Sequence, residues 1–330
     1  MRHLILCLVT ALCLATPLHA RCVGSNLIAA LPADDQVALR ARADLQPFAV
    51  GNYWRASRDD QLVHIIGTYH FDDPRHAATM DSLAPVLAAA EILLVEAGPD
   101  EEAALIARLS DDPEMMINTD GPTLPQILPP ADWQRLSTAL SDRGIPSFMA
   151  AKFRPWYLSL LLSLPPCQIE FAATTKGLDG MLMDAAAAKG IAVQALEPYD
   201  TIFGIFDAMP QADQLAMITS TLALEDKVTD MSITLADAYF AEEGRLIWEF
   251  TRQLTLQLPE SAPAQVDADF AAMEETLMKG RNRAWIPVIA AAAEKGPVLV
   301  AFGALHLSGD EGVLNLLADS GYQIERLPLQ

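Results

Sequence analysis

The chain is short of positive charge, of cysteine and, past its first twenty residues, of long apolar runs. Lysine and arginine number 22 against 43 aspartates and glutamates, so the surface repels nucleic acid and anionic membranes, and neither is expected as a partner. The acidic excess is spread along the chain, which reads as a solvated surface and selects no partner. After the amino-terminal segment the longest apolar run, Trp156 to Leu164, is broken by Ser159 and Ser163 and is too short to cross a bilayer. No stable membrane insertion is expected. Several templates are also missing: there is no Gly-x-Ser-x-Gly elbow, no phosphate-cradling Gly-x-x-x-x-Gly-Lys-Ser/Thr loop and no His-Glu-x-x-His helix. Serine-nucleophile chemistry and nucleotide hydrolysis lose ground accordingly.

Residues 1–20 read as a secretory signal, with Arg2 at the start, an apolar core from Leu4 to Ala15, and Leu18-His19-Ala20 as a cleavage site near Ala20. A lipoprotein signal fits less well, because His19-Ala20-Arg21 ahead of Cys22 lacks the small-residue run that lipidation enzymes read. The mature chain, 21–330, is expected to be a single periplasmic or secreted domain. Of the four cysteines, Cys7 and Cys13 leave with the signal, while Cys22 and Cys167 remain. An even pair in an exported chain predicts a disulfide, with two buried free thiols as the alternative. Closing a loop of that length is worth roughly 4–5 kcal/mol at most in the loop-entropy description.

Histidine is scarce too: without His3 and His19 only His64, His70, His76 and His306 are left. Two of them end the same pattern, LVHIIGTYHF at 62–71 and VLVAFGALHL at 298–307, each an apolar run closing in Gly-x-x-His. Imidazoles at the ends of two buried strands can meet at one point, where neutral rings bind first-row divalent ions and carboxylates complete the shell. His64, inside a strand, and His76, opening a helix, read as structural or exposed.

The alternation over Phe48–Arg55 and the run Leu62–Ile66 predict a hairpin turned at Ser57–Asp60. Asp72-Asp73-Pro74 starts a helix over 77–90, followed by a short strand Ile92–Val95 that ends in Glu96. A parallel crossover of this kind places strand carboxyl ends on one edge, so His70 and Glu96 are expected as neighbours there. The middle, roughly 100–290, reads as helical, with one short strand Ala192–Leu196 ending in Glu197. The last helical stretch, 265–294, is either two helices or one bent at Gly280. A strand at 298–302, a helix at 311–319 and a strand at 322–327 close the chain. The fold expected is mixed α/β: a central mixed β-sheet from the amino- and carboxyl-terminal segments, with a large helical insertion.

Glu96 and Glu197, at strand ends, sit where ligand sites gather in open α/β sheets. Either one could serve as general base to a metal-bound water. Arg281, followed by Asn282 in KGRNRAW, could pair with a buried carboxylate or stabilise negative charge.

The chain resembles the TraB/GumN superfamily, which includes the Tiki-type metalloproteases. The residues that carry the resemblance are Gly67-Thr68-Tyr69-His70, LLVE ending at Glu96, GLD at 177–179 leading through a helix to LEP with Glu197, Arg281-Asn282, and FGALHLSGDEGVLNLLADSGYQIERL at 302–327. It implies a site built from both Gly-x-x-His motifs and the first glutamate, with His70, Glu96 and His306 holding a divalent metal ion, manganese, cobalt or zinc. Beside that set, Glu197 is expected either to support the ligands or to act as general base, and Arg281 either to stabilise negative charge or to orient a carboxylate. The expected function is an exported metal-dependent hydrolase, a Tiki-like peptidase acting on a peptide or small-molecule substrate. Two alternatives stand beside it: a non-catalytic haem- or metal-complex-binding protein using the same cleft, and a metal-independent esterase-like enzyme of the kind found among distant erythromycin-esterase relatives.

Overall fold

The structure is a computed structural model that describes residues 22–169, 175–258 and 262–329. The expected signal peptide lies outside the described residues. Six strands form one sheet: β1 (Tyr53–Arg58), β2 (Gln61–Thr68), β3 (Ile92–Val95), β4 (Ala192–Ala195), β5 (Val298–Gly303) and β6 (Gln323–Arg326), in the spatial order β4-β3-β5-β2-β1-β6. β4, β3, β5 and β2 run parallel, while β1 is antiparallel to both of its neighbours. The fold is thus mixed α/β, with helices inserted between sheet segments.

One detail differs from the sequence reading. The hairpin is tighter, pairing Arg58 with Gln61, because the residues before Tyr53 bend away and only Asp59 and Asp60 turn. On the sheet, β5 lies between β2 and β3 and pairs with both in parallel. The reason is burial. β5 is apolar at five consecutive positions, Val298 to Phe302, all of them buried, and a strand without a polar face is stable only in the centre, covered on both sides.

Its alternating side chains build both layers of the core. Val298, Val300 and Phe302 join Val63, Ile65, Leu94, Trp285, Ile289 and the helix Val313–Asp319 on one face. Leu299 and Ala301 join Ile66, Leu93, Val95 and the helices His76–Ala89 and Leu178–Lys189 on the other. The inserted helices add an apolar layer of their own around Leu136, Leu140, Leu158, Leu162, Ile218 and Leu222. Near the carboxyl end, Pro263–Glu274 continues through a π-helical turn, Glu275–Lys279, into Gly280–Ala293. The wide turn, closed by Gly280 N–H donating to the Glu275 carbonyl, takes the place of the break or bend expected at Gly280.

Cys22 and Cys167 are joined in a disulfide with their Cα atoms 5.5 Å apart. It ties the start of the described chain to the short helix Pro166–Ile169. Among the described residues no helix is long and apolar enough to cross a membrane.

Candidate functional site

Four parallel strands deliver four segments to one edge of the sheet: His70 follows β2, Glu96 follows β3, Glu197 follows β4 and His306 follows β5. The glycines of the two Gly-x-x-His motifs make this convergence possible, and each does so for the other motif. A Cβ on Gly67 would stand 2.5 Å from Leu307 Cδ1 and 2.9 Å from Ala304 Cα, so only glycine lets the 3-10 turn Ala304–His306 lie against β2. Conversely, a Cβ on Gly303 would meet His70 Nε2 at 3.1 Å and Glu96 Oε1 at 3.3 Å. The backbone of Gly303, with φ −50° and ψ 133°, suits any residue. Its missing side chain therefore serves space and not conformation, leaving an opening that His70 and Glu96 share.

His70 is held from behind. Its Nδ1 lies 2.8 Å from Asp179 Oδ2, while Thr68 Oγ1 donates to Asp179 Oδ1 at 2.5 Å. Asp179 reaches this place because helix Leu178–Lys189 begins on His70 itself. Leu178 N–H donates to the Tyr69 carbonyl, and a Cβ on Gly177 would collide with the His70 carbonyl group at 2.2–2.3 Å. The ring leaves Nε2 without a hydrogen-bond partner among the described residues, and 57% of its side chain is accessible. Standing on a floor of protein, His70 feels burial oppose its charge. The charge and hydrogen bond of Asp179, helped by Glu96 and opposed by Arg281, outweigh it and push the pKa up to about 9.

Arg281 stands at the centre of the rest. Its Nη2 donates to Glu96 Oε2 at 2.5 Å and to Glu197 Oε1 at 2.7 Å, and its Nε donates to Glu197 Oε2 at 2.9 Å. Nη1 donates to the Leu277 carbonyl, in the π-helical turn, at 2.9 Å and approaches His306 Nε2 at 3.1 Å. Glu197 also accepts from Trp285 Nε1 at 3.0 Å and is 10% accessible. Both of its oxygens are engaged by Arg281, and one also by Trp285. Glu96 Oε1 accepts from Gly303 N–H at 2.6 Å. Burial pushes the Glu96 carboxyl up, but His306, His70, Arg281 and the Gly303 amide together bring it down to about 2. His306 is itself neutral at ordinary pH, since burial, with Arg281 and His70, lowers it to about 4 against the pull of Glu96. The cations that keep Glu96 ionised at neutral pH are therefore His70 and Arg281.

The sequence-derived residues thus lie in one cluster but divide into two groups. His70 and Glu96 border the opening, whereas Glu197, Arg281 and His306 form a buried network behind Glu96. Asp179 was missed as a site residue; it looks like an ordinary acidic residue in the first turn of a helix, although GLD at 177–179 is among the motifs that carry the family resemblance. His64 and His76 lie elsewhere: His64 Nδ1 is 2.8 Å from the Tyr53 hydroxyl, and the fully buried His76 meets the Phe71 carbonyl.

A divalent ion on His70, Glu96 and His306 needs three free donors. Among the described residues no three His, Cys, Asp or Glu side chains come together as such a group. Arg281 is the physical reason, because it takes up the space and the lone pair through which His306 would reach a shared ion. The three-ligand site does not fit this arrangement. A concavity of about 510 Å³ lies at the opposite end of the sheet beside Ile92, Ala192 and Pro287; none of these site residues lines it.

The profile of the TraB/PrgY/gumN family matches residues 52–326 of the chain. The match spans all six strands and every residue of the cluster. No curated protein matches the chain.

Proposed function

Given that the chain belongs to the TraB/PrgY/gumN family, we propose that it is an exported hydrolase of peptide- or ester-type carbonyl compounds that works at the carboxyl edge of its sheet. One observation carries this reading: His70 Nε2 and Glu96 Oε1 lie 3.1 and 3.3 Å from one point above Gly303, with the opposite nitrogen of His70 fixed by Asp179. Two groups whose surroundings drive their proton affinities apart make an acid and base pair. His70 carries the proton at neutral pH and Glu96 does not. Water held by Glu96 attacks the carbonyl carbon and gives its proton to that carboxylate. His70 Nε2–H protonates the leaving nitrogen or oxygen as the bond to carbon breaks. The proton on Glu96 then returns to His70 and restores the starting state. Asp179 keeps the ring oriented, and Arg281 holds Glu96 in place. No step is routed through a metal ion.

Export is supported by the Cys22–Cys167 disulfide, since such bonds persist in oxidising compartments.

The test is a screen of peptides and carboxylic esters with the mature chain, with and without chelator and with added Mn²⁺, Co²⁺ or Zn²⁺, beside His70→Ala and Glu96→Gln. Hydrolysis that survives chelation and is lost in both variants is the expected result. Hydrolysis that requires an added ion returns the family-implied metal chemistry, and cleavage unchanged by both substitutions removes the site.

A further inference from the structure

We propose that the second Gly-x-x-His motif supplies a hydrogen-bond acceptor for Arg281 and not a metal ligand, so that His306 is a positioning residue and the Arg281 guanidinium is the fixed cation beside Glu96. The inference rests on the cluster described above but not on its hydrolytic chemistry.

A neutral imidazole has one N–H and one lone pair, and the network assigns both. Asn282 Nδ2 donates to the Glu311 carbonyl at 2.8 Å, which turns Asn282 Oδ1 toward His306 Nδ1 at 2.6 Å. An amide oxygen only accepts, so Nδ1 carries the hydrogen. The lone pair is then on Nε2. Its neighbour there is Arg281 Nη1, at 3.1 Å, and a guanidinium only donates.

From the side of Arg281 the same bond completes a set. Its Nε and both Nη atoms each donate, to Glu197, Glu96, the Leu277 carbonyl and His306. The arginine is 9% accessible and His306 5%, so an N–H left without an acceptor would stay dry and cost about 1–3 kcal/mol. Trp285 closes the remaining side, its ring centroid 4.5 Å from that of His306 and 4.9 Å from Arg281 Cζ. A divalent ion bound at His306 Nε2 would have to expel the guanidinium and strand Glu197, whose oxygens have, among the described residues, only Arg281 and Trp285 as donors. His70 differs on each count. Its Nε2 has no protein partner among the described residues, and its side chain is 57% accessible.

The experiment is nitrogen-15 NMR of histidine- and arginine-labelled mature chain, with ZnCl₂ as the probe ion. At pH 7 without metal, His306 is expected as the neutral Nδ1–H tautomer. On titration with Zn²⁺ its Nε2 signal should stay in place, and His306→Gln, which keeps an acceptor near the position of Nε2, should hold Zn²⁺ affinity within about threefold. The Arg281 side-chain signals, sharp in the wild type and in His306→Gln, should broaden in His306→Leu. A chain that takes up no Zn²⁺ agrees with the proposal. An Nε2–H tautomer or an imidazolium at His306, an Nε2 signal moved by Zn²⁺, or a tenfold or greater loss of Zn²⁺ affinity in His306→Gln overturns it. None of these readouts depends on turnover, so a failed hydrolase assay and a failed assignment of His306 are told apart.

Discussion

Replacing Arg281 by methionine removes one buried cation from between two carboxylates, and the consequence can be worked out. Glu96 and Glu197 both accept from Nη2, at 2.5 and 2.7 Å, so without it two poorly solvated carboxylates face one another. Breaking a buried ion pair by deleting one partner costs about 3–5 kcal/mol. A second figure comes from Glu96, whose pKa falls from 4.5 to about 2 in the folded chain; at 1.36 kcal/mol per unit this is roughly 3 kcal/mol, an upper value because His306, His70 and the Gly303 amide supply part of it. The first route gives a loss of about 3 kcal/mol or more at pH 7, and the second limits the share carried by Glu96 to about 3 kcal/mol. The pH dependence has a definite sign. In the wild type the depressed pKa of Glu96 contributes stability above its unfolded value, lost as the pH falls toward 2. In Arg281→Met at least one of the two carboxyls is expected above its unfolded value. Such a group stabilises the fold when protonated and ceases to do so as the pH rises through its folded pKa. The gap between variant and wild type is therefore widest at pH 7 and narrows toward pH 4. Urea unfolding at pH 7, 5.5 and 4.5 measures it, and Arg281→Met/Glu197→Gln should recover part of the loss at pH 7. A loss below about 1 kcal/mol at pH 7, or one that is the same at all three pH values, refutes the reasoning.

Other perturbations reach separate parts of the site. Gly303→Ala places a methyl carbon 3.1 Å from His70 Nε2 and 3.3 Å from Glu96 Oε1; the side chains must yield by a few tenths of an ångström, so hydrolysis should drop about tenfold with little change in melting temperature. Asp179→Asn removes the main support of the His70 cation, and the imidazole titration followed by NMR should move from about 9 down toward the ordinary histidine value near 6.5. Activity that depends on the protonated His70 should be retained at pH 7 and fall as the pH rises through about 9 in the wild type, which a pH profile of kcat reads directly. Reduction of the Cys22–Cys167 bond should lower unfolding stability by about 2–5 kcal/mol, measured by denaturant titration with and without reductant.

Much of the fold was legible in the chain because it follows from local pattern. The runs Ile92–Val95 and 298–302 carry too little polarity to lie anywhere but in a covered parallel sheet, and Leu62–Ile66 reads as the second strand of a hairpin. Helices such as Pro155–Ser163 and Leu178–Lys189 follow from their apolar spacing and their proline or glycine starts. Parallel strands put their carboxyl ends on one edge, so the paired Gly-x-x-His motifs and Glu96 could be placed together from the sequence alone. The cysteine pair needed only an even count.

What the tertiary structure decided is who bonds to whom. Thr68 and Asp179 are 111 residues apart, and Glu96 and Arg281 are 185 apart; no local pattern encodes such a distance. Insertion of β5 between β2 and β3 brought each motif's glycine against the other motif, which turned two repeats into one opening. The same packing set Arg281 against His306 Nε2 and Asp179 against His70 Nδ1. A histidine's chemistry depends on which nitrogen is left free, and that is fixed by neighbours arriving from distant parts of the chain.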